Sequence, residues 1–143
     1  MLKGIDPLLS PELLEIMAEM GHGDELAVVD ANFPAAAMAR RLVRVSASAS
    51  QVLRAVLTLL PLDDFVEEPL TVMKVDGRPE EIPEPVREFQ AAAEAAEGSK
   101  IKMTRIDRFA FYDRARNAFA IVATGELRLW GCVLARKGVI RPS

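Results

Sequence analysis

Apolar residues recur along this chain in two patterns, one typical of helices and one typical of buried strands. A helix is predicted to begin at Pro11, because Ser10 can cap it and a proline fits the first helical position. Its apolar positions follow at helical spacing: Leu13, Ile16, Met17 and Met20. Gly21 is expected to end it in a left-handed conformation. The apolar run over 26–29 is too short for a helix and predicts a strand buried on both faces.

The same two patterns alternate along the rest of the chain. Further strands are predicted over 42–45, 70–75, 100–106, 118–123 and 132–135, and further helices over 51–60, 86–97 and 108–116. Ser50 is expected to cap the second helix, Pro61 to end it, and Gly98 to end the third. Alternating strands and helices predict an α/β sheet covered on both faces, whose strand order the pattern leaves open.

Composition narrows the chemistry available to this fold. The chain has 143 residues, 50% of them hydrophobic, and no linker or repeat, which predicts one domain over 1–143. One cysteine and one histidine exclude an internal disulfide, a cysteine-based zinc site and any site with two imidazoles. A net charge of −3 argues against nucleic acid as a partner. Because no apolar run reaches the length of a membrane span, we expect a cytoplasmic protein without a membrane partner.

The single histidine, His22, lies between Gly21 and Gly23 rather than on an apolar stripe. An imidazole in an accessible loop can both donate and accept protons near neutral pH, which makes His22 a candidate acid–base catalyst. The alternative is a histidine that interacts with the carbonyl dipole at the end of the first helix. The residues around His22 leave both interpretations open.

Other polar and aromatic residues point to a small ligand. Asp30 follows a buried strand, at the kind of strand end where α/β proteins bind ligands, although it could instead cap a following helix. Tyr112 and Trp130 each combine an apolar face, suited to the C–H face of a sugar, with a polar tip. Arg108 offers donors for vicinal hydroxyls or, alternatively, a surface salt bridge. Cys132 is expected to be a buried structural thiol.

Together these residues resemble the L-fucose mutarotase family, which is related to the D-ribose pyranases. The resemblance spans the whole chain in order. It is carried by residues 8–14 (LLSPELL), 21–25 (GHGDE), 30–34 (DANFP), 105–115 (RIDRFAFYDRA), 124–126 (TGE) and 137–139 (KGV).

The resemblance implies an isomerase that interconverts the α and β anomers of L-fucose or a closely related monosaccharide, without metal or cofactor. It implies a three-layer α/β/α domain with a mixed central sheet, assembled into a ring-shaped homo-oligomer, a decamer by preference, with sites at subunit contacts. Candidate substrate-binding residues are Asp30, Arg108, Tyr112 and the segment Trp130, Gly131 and Cys132, and His22 matches the family's proton donor. Asn32, Trp130 and Cys132 depart from the family pattern, which leaves the sugar open.

Two alternatives remain beside this interpretation: a D-ribose pyranase-like isomerase and a non-catalytic sugar-binding protein. A geometric question also remains, because an extended chain between His22 and Asp30 would hold their backbones about 26 Å apart. Either residues 21–24 turn back, or the two residues serve composite sites between adjacent subunits. We expect a combination of the two.

Overall fold

The computed structural model describes residues 1–143, which form five helices and six strands. The helices are α1 (Pro11–Glu19), α2 (Ala35–Met38), α3 (Ala49–Leu57), α4 (Glu84–Glu97) and α5 (Arg108–Asn117). The strands are β1 (Glu25–Val29), β2 (Leu42–Val45), β3 (Leu70–Met73), β4 (Met103–Ile106), β5 (Ala120–Thr124) and β6 (Val133–Arg136). No helix combines the length and the hydropathy that crossing a bilayer requires.

The six strands form one mixed sheet in the order β2-β5-β1-β6-β3-β4. Strands β1, β2 and β5 pair in parallel, as do β3 and β4, and β6 runs antiparallel to both of its neighbours, β1 and β3. Five strands therefore end at one edge of the sheet, and β6 begins there. We call this edge the carboxyl end and the opposite edge the amino end.

Alternate residues of each strand face two separate cores, which produces the three layers. Leu26 and Val28 of β1 pack in the larger core with α1, α3 and α4. Ala27 and Val29 face a smaller core, closed by α2 and α5 and built around the fully buried Phe111. The sheet is therefore covered on both faces, and the predicted α/β/α class with a mixed sheet is confirmed.

Some helix ends differ from their predictions. Helix α3 ends at Leu57, with Thr58 at the C-cap position, so Pro61 does not end it. Ser10 caps α1 as expected, with its hydroxyl accepting from the Leu13 N–H at 3.3 Å, but α1 ends at Glu19 and Gly21 does not have a positive φ. The left-handed glycine of this turn is Gly23. Ser50 does not cap α3, because Ser48 occupies the N-cap position and forms a capping box with Gln51. For Gly21 and for Ser50, a residue of the same type lies two positions away. The local sequence therefore does not distinguish the two positions, and tertiary packing determines which one is used.

Candidate active site

A cleft at the carboxyl end of the sheet brings together four of the residues predicted to bind sugar. Asp30 follows β1, Arg108 and Tyr112 lie at the start of α5, and Trp130 precedes β6. This Asp30 cleft has a volume of about 140 Å³ and is lined by Asp30, Asn32, Phe33, Met73, Arg108, Tyr112, Leu129 and Trp130. Small-molecule pockets usually measure about 300–1,000 Å³. The cleft on one chain is therefore smaller than a usual small-molecule pocket.

Asp30 is buried at the base of this cleft and held from two sides. Its Oδ1 accepts the Asn32 N–H at 3.0 Å, and its Oδ2 accepts the Gly131 N–H at 3.2 Å. It does not cap α2, since that helix begins at Ala35 with Pro34 at the N-cap position. A carboxylate oxygen has a second lone pair, so both oxygens of Asp30 can still accept a ligand hydroxyl.

Arg108 and Tyr112 form the wall of the cleft on α5. Arg108 Nε lies 2.9 Å from Asp76 Oδ2, so the predicted salt bridge exists, and the guanidinium stacks over Phe109 at 4.6 Å. The neighbouring Tyr112 hydroxyl and the carboxylate of Asp76 raise the pKa of Arg108. Its Nε–H has no acceptor in hydrogen-bond geometry, although the Asp76 carboxylate lies within ion-pair distance. Such an atom is the kind that a ligand oxygen satisfies.

Trp130, Gly131 and Cys132 have different positions relative to the cleft. Trp130 lines it and has a φ of 64°, which no other non-glycine residue in the chain approaches. Such strain in a bulky residue is typical of functional sites. Gly131 and Cys132 lie beneath the surface, where Gly131 binds the Asp30 carboxylate and the Cys132 sulfur accepts the Asp30 N–H at 3.4 Å. Burial raises the pKa of the Cys132 thiol, in keeping with the structural role expected for it.

His22 lies at the amino end of the sheet, in the turn before β1. Its side chain is 39% exposed and packs edge-on against Phe65, with ring centroids 4.7 Å apart. It borders a largely apolar cavity of about 640 Å³ between α1, the segment 59–61 and the segment 137–140. This His22 pocket shares no lining residue with the Asp30 cleft.

A buried carboxylate that the sequence reasoning missed, Asp63, holds the imidazole. Asp63 Oδ1 lies 3.0 Å from His22 Nε2, and Oδ2 accepts from Arg136 Nε at 2.8 Å. Burial alone would raise the pKa of Asp63, but the hydrogen bonds from Arg136, the Phe65 N–H and His22 outweigh it and lower that pKa. Because an ionised carboxylate only accepts hydrogen bonds, His22 Nε2 carries a proton and Nδ1 is the free nitrogen.

His22 and Asp30 therefore lie at opposite ends of β1, which alone spans about 16 Å. Residues 21–24 do turn back, with the Asp24 N–H donating to the Gly21 carbonyl at 3.1 Å and Asp24 Oδ2 accepting the Gly21 N–H at 2.7 Å. That turn does not bring His22 to the Asp30 cleft. The sequence left two ways for His22 and Asp30 to serve one site: a turn at residues 21–24, or a composite site between adjacent subunits. The turn alone does not bring them together within one chain.

Asp63 and Met73 had no distinguishing signal in the sequence. Asp63 stands beside the exposed Asp64, and only the fold buries one of the pair and exposes the other. Met73 is the last residue of a buried strand and lies at the cleft, but its sequence context predicts only a core residue. No group of three or more histidine, cysteine, aspartate or glutamate side chains is arranged to hold a metal ion.

Comparison with known proteins identifies the family. The model of the RbsD / FucU transport protein family matches residues 3–140. The chain belongs to this family. It is similar to the L-fucose mutarotase of Actinobacillus pleuropneumoniae serotype 5b (strain L20), with 43% identity over 140 residues that cover 97% of both proteins. It is similar to the fucose mutarotase of Homo sapiens, with 44% identity over 146 residues that cover 97% of this chain and 94% of the relative.

A solved structure extends the likeness to three dimensions. The fucose mutarotase from Streptococcus pneumoniae, solved in complex with L-fucose, has 37% identity and a TM-score of 0.90, covering 98% of this chain and 100% of that one. The resemblance to fucose mutarotases predicted from the sequence motifs is confirmed.

Proposed function

We propose that this RbsD/FucU family member is an isomerase that interconverts the α and β anomers of L-fucose. The observation that carries the proposal is full-length similarity, at 37% to 44% identity, to proteins named fucose mutarotases. The chemistry of the Asp30 cleft and of the His22 pocket agrees with it. The Asp30 cleft offers aromatic faces, a carboxylate and a guanidinium for a sugar, and the His22 pocket offers the only imidazole of the chain.

The reaction requires two proton movements and one bond rotation. A proton leaves the anomeric hydroxyl and another reaches the ring oxygen, so the ring C–O bond breaks and an open-chain aldehyde forms. Rotation about C1–C2 then allows the ring hydroxyl to attack the other face of the carbonyl, with the protons returning. We assign proton donation to His22 Nδ1, since Asp63 holds Nε2; the ring donates from its imidazolium form and is left as the neutral Nε2–H imidazole. General acid–base catalysis supplies about 10²–10⁴-fold, which is adequate because mutarotation already proceeds in water.

The Asp30 cleft would bind the sugar. The faces of Tyr112 and Trp130 suit the C–H face of the ring, and Asp30 would accept hydrogen bonds from its hydroxyls. Arg108, which lines the cleft, would donate to a hydroxyl through its guanidinium. Gly131 and Cys132 act through Asp30, because hydrogen bonds link both of them to it. Asn32 is exposed at the rim, where it would influence which sugar is accepted.

We further propose that the complete site forms between two copies of the chain, with His22 of one copy covering the Asp30 cleft of the next. Large apolar side chains are exposed at both ends of the sheet: Leu59, Phe65 and Ile140 near His22, and Phe109 and Leu129 near the cleft. Joining two different surfaces head to tail generates a ring when the rotation closes. The resemblance favours a decamer. Its formation would also enlarge the cleft toward the size of a sugar pocket.

A complementation experiment tests the composite site. His22→Asn and Asp30→Asn are each expected to abolish anomer exchange, measured by NMR saturation transfer with L-fucose. When the two variants are mixed equally and reassembled, about one quarter of head-to-tail contacts would join an intact His22 to an intact Asp30. Recovery of exchange to about that fraction is expected. A mixture as inactive as the single variants would contradict the composite site.

Measurements on the separate properties discriminate among functions. Wild type should accelerate exchange of L-fucose over buffer, and a panel with ribose and galactose tests the ribose pyranase alternative. Sugar binding without exchange would indicate a non-catalytic binding protein and refute the isomerase. Ile140→Glu should break the assembly in light scattering, whereas Ala91→Glu on the exposed face of α4 should leave it intact. The expected cytoplasmic location stays a prediction for cell fractionation.

A further inference from the structure

The loop between β5 and β6, residues 125–132, controls two elements of the Asp30 cleft. It presents Trp130 in a left-handed conformation, at a φ of 64°. An L side chain in that conformation is strained, so surrounding contacts must hold it. The next residue, Gly131, donates its N–H to Asp30 Oδ2 at 3.2 Å. Any group that fixes this loop therefore fixes both the aromatic face and the carboxylate of the cleft.

Arg128, at the middle of the loop, is bound by carboxylates on two sides. Its Nη1 and Nη2 each lie 2.8 Å from an oxygen of Glu88 on α4. Its Nε and Nη2 also donate to Glu126, at 3.0 and 2.9 Å. Glu88 in turn accepts from the Ser50 hydroxyl of α3 at 2.6 Å. The guanidinium thus ties the loop to two helices of the neighbouring layer.

The ionisation of these groups agrees with a strong pairing. The hydrogen bonds from Arg128, followed by the one from Ser50, lower the pKa of Glu88 to about 2. The same guanidinium lowers the pKa of Glu126, and the two carboxylates raise that of Arg128. An isolated surface ion pair contributes little. This network differs because its contacts are bidentate and the Glu126 side chain is only 4% exposed.

Glu126 links this network to the cleft. Its carbonyl accepts the Ala31 N–H at 2.8 Å, which joins the loop to the residue after Asp30. Its side chain also packs on Gly131, where an added Cβ would lie 2.9 Å from the Glu126 Cγ. A displaced Glu126 would therefore disturb Gly131, one of the two N–H donors to the Asp30 carboxylate, and Ala31, the residue before the other donor, Asn32.

We propose that Arg128 is a positioning residue that holds the Trp130 loop against α3 and α4 and thereby sets the affinity of the Asp30 cleft for its sugar. The proposal rests on the proposed function. Arg128 does not line the cleft, so it acts through Trp130, Gly131 and Asp30 without touching the sugar. Loss of its charge should loosen the loop and weaken substrate binding while leaving the proton transfer at His22 unchanged.

The test compares Arg128→Met with Arg87→Met, a matched control on the exposed face of α4. Trp130 is the only tryptophan, so its fluorescence reports on this loop alone. In Arg128→Met, acrylamide quenching of Trp130 should rise about two-fold and KM for L-fucose about ten-fold, with kcat within about two-fold. Arg128→Lys should recover only part of the loss, since an ammonium cannot make both bidentate contacts. Glu88→Gln should resemble Arg128→Met more weakly.

Two results would overturn the proposal. One is an Arg128→Met protein whose Trp130 quenching and KM match those of Arg87→Met. The other is a protein that loses thermal stability while its KM stays at the wild-type value, because Arg128 would then support the fold alone. If wild type exchanges no anomers, the proposed function fails by itself. Trp130 quenching and a fluorescence titration with L-fucose would then decide the positioning role.

Discussion

Replacing Asp63 with asparagine tests how the imidazole of His22 is held. The Asp63 side chain is fully buried, and it receives His22 Nε2 at 3.0 Å, Arg136 Nε at 2.8 Å and the Phe65 N–H at 3.0 Å. Asparagine keeps the size and one carbonyl oxygen, so a neutral hydrogen bond to His22 can survive. The change removes the negative charge beside the His22 ring and leaves a weaker, neutral hydrogen bond at Nε2.

The expected loss follows from these contacts. A hydrogen bond to a charged group contributes about 1.5–3 kcal/mol, roughly twice as much as a neutral one. If the whole of that difference, about 0.8–1.5 kcal/mol, is lost in the transition state, exchange should fall about 4- to 12-fold. Stability should fall by about 1–3 kcal/mol, because one carboxylate oxygen becomes an amide donor facing Arg136. Arg136 is 39% exposed, so water can partly replace the lost partner.

Saturation-transfer NMR with L-fucose measures the exchange, and thermal unfolding measures the stability. Asp64→Asn is the matched control, since Asp64 is 61% exposed and pairs only with Arg141. Arg136→Met separates the two partners by leaving the His22 contact in place. If Asp63→Asn is folded and exchanges anomers within two-fold of wild type, the role assigned to Asp63 is wrong. Equal losses in Asp63→Asn and Arg136→Met would assign the effect to the fold rather than to the imidazole.

Two further predictions concern residues that support the His22 pocket and the Asp30 cleft. Gly138→Ala should lower stability by about 1–3 kcal/mol and reduce exchange, because its Cβ would lie 2.6 Å from a backbone oxygen and 2.8 Å from Asp63 Cα. Gly125→Ala, whose nearest contact is 3.5 Å, should be neutral in the same thermal unfolding assay, and a neutral Gly138→Ala would contradict the packing. The pKa of Glu88 is lowered from 4.5 to about 2, so its stabilising contribution is complete above pH 4.5 and fades as the pH falls toward 2. As the pH falls from 4.5 to 2, the Arg128→Met variant should lose less stability than wild type, measured by unfolding followed by circular dichroism. If the stability of the two proteins falls equally over this range, the pairing of Glu88 with Arg128 is refuted.

Much of the fold was accessible from local pattern. Apolar spacing and cap chemistry predicted α1, α3, α4 and α5 and all six strands to within a few residues. The one helix not predicted, α2, has only four residues and lacks a side-chain cap. Ser48 and Ser50 lie two positions apart and can both cap a helix, and in the folded chain Ser48 occupies the N-cap position of α3. Local signals of this kind identify an element but place its ends only roughly.

The sequence by itself determined the class of the fold, the family and the candidate chemistry: one imidazole, a carboxylate after a buried strand, and aromatic residues with polar tips. The tertiary structure alone decided which groups meet, because that depends on strand order and direction. Since β1 and β3 run alike and β6 runs against them, Trp130 meets Asp30 at one end of the sheet, while Asp63 and Arg136 meet His22 at the other. His22 and Asp30, eight positions apart in sequence, are thus separated by a strand. His22 and Asp63, 41 positions apart, are linked by a hydrogen bond.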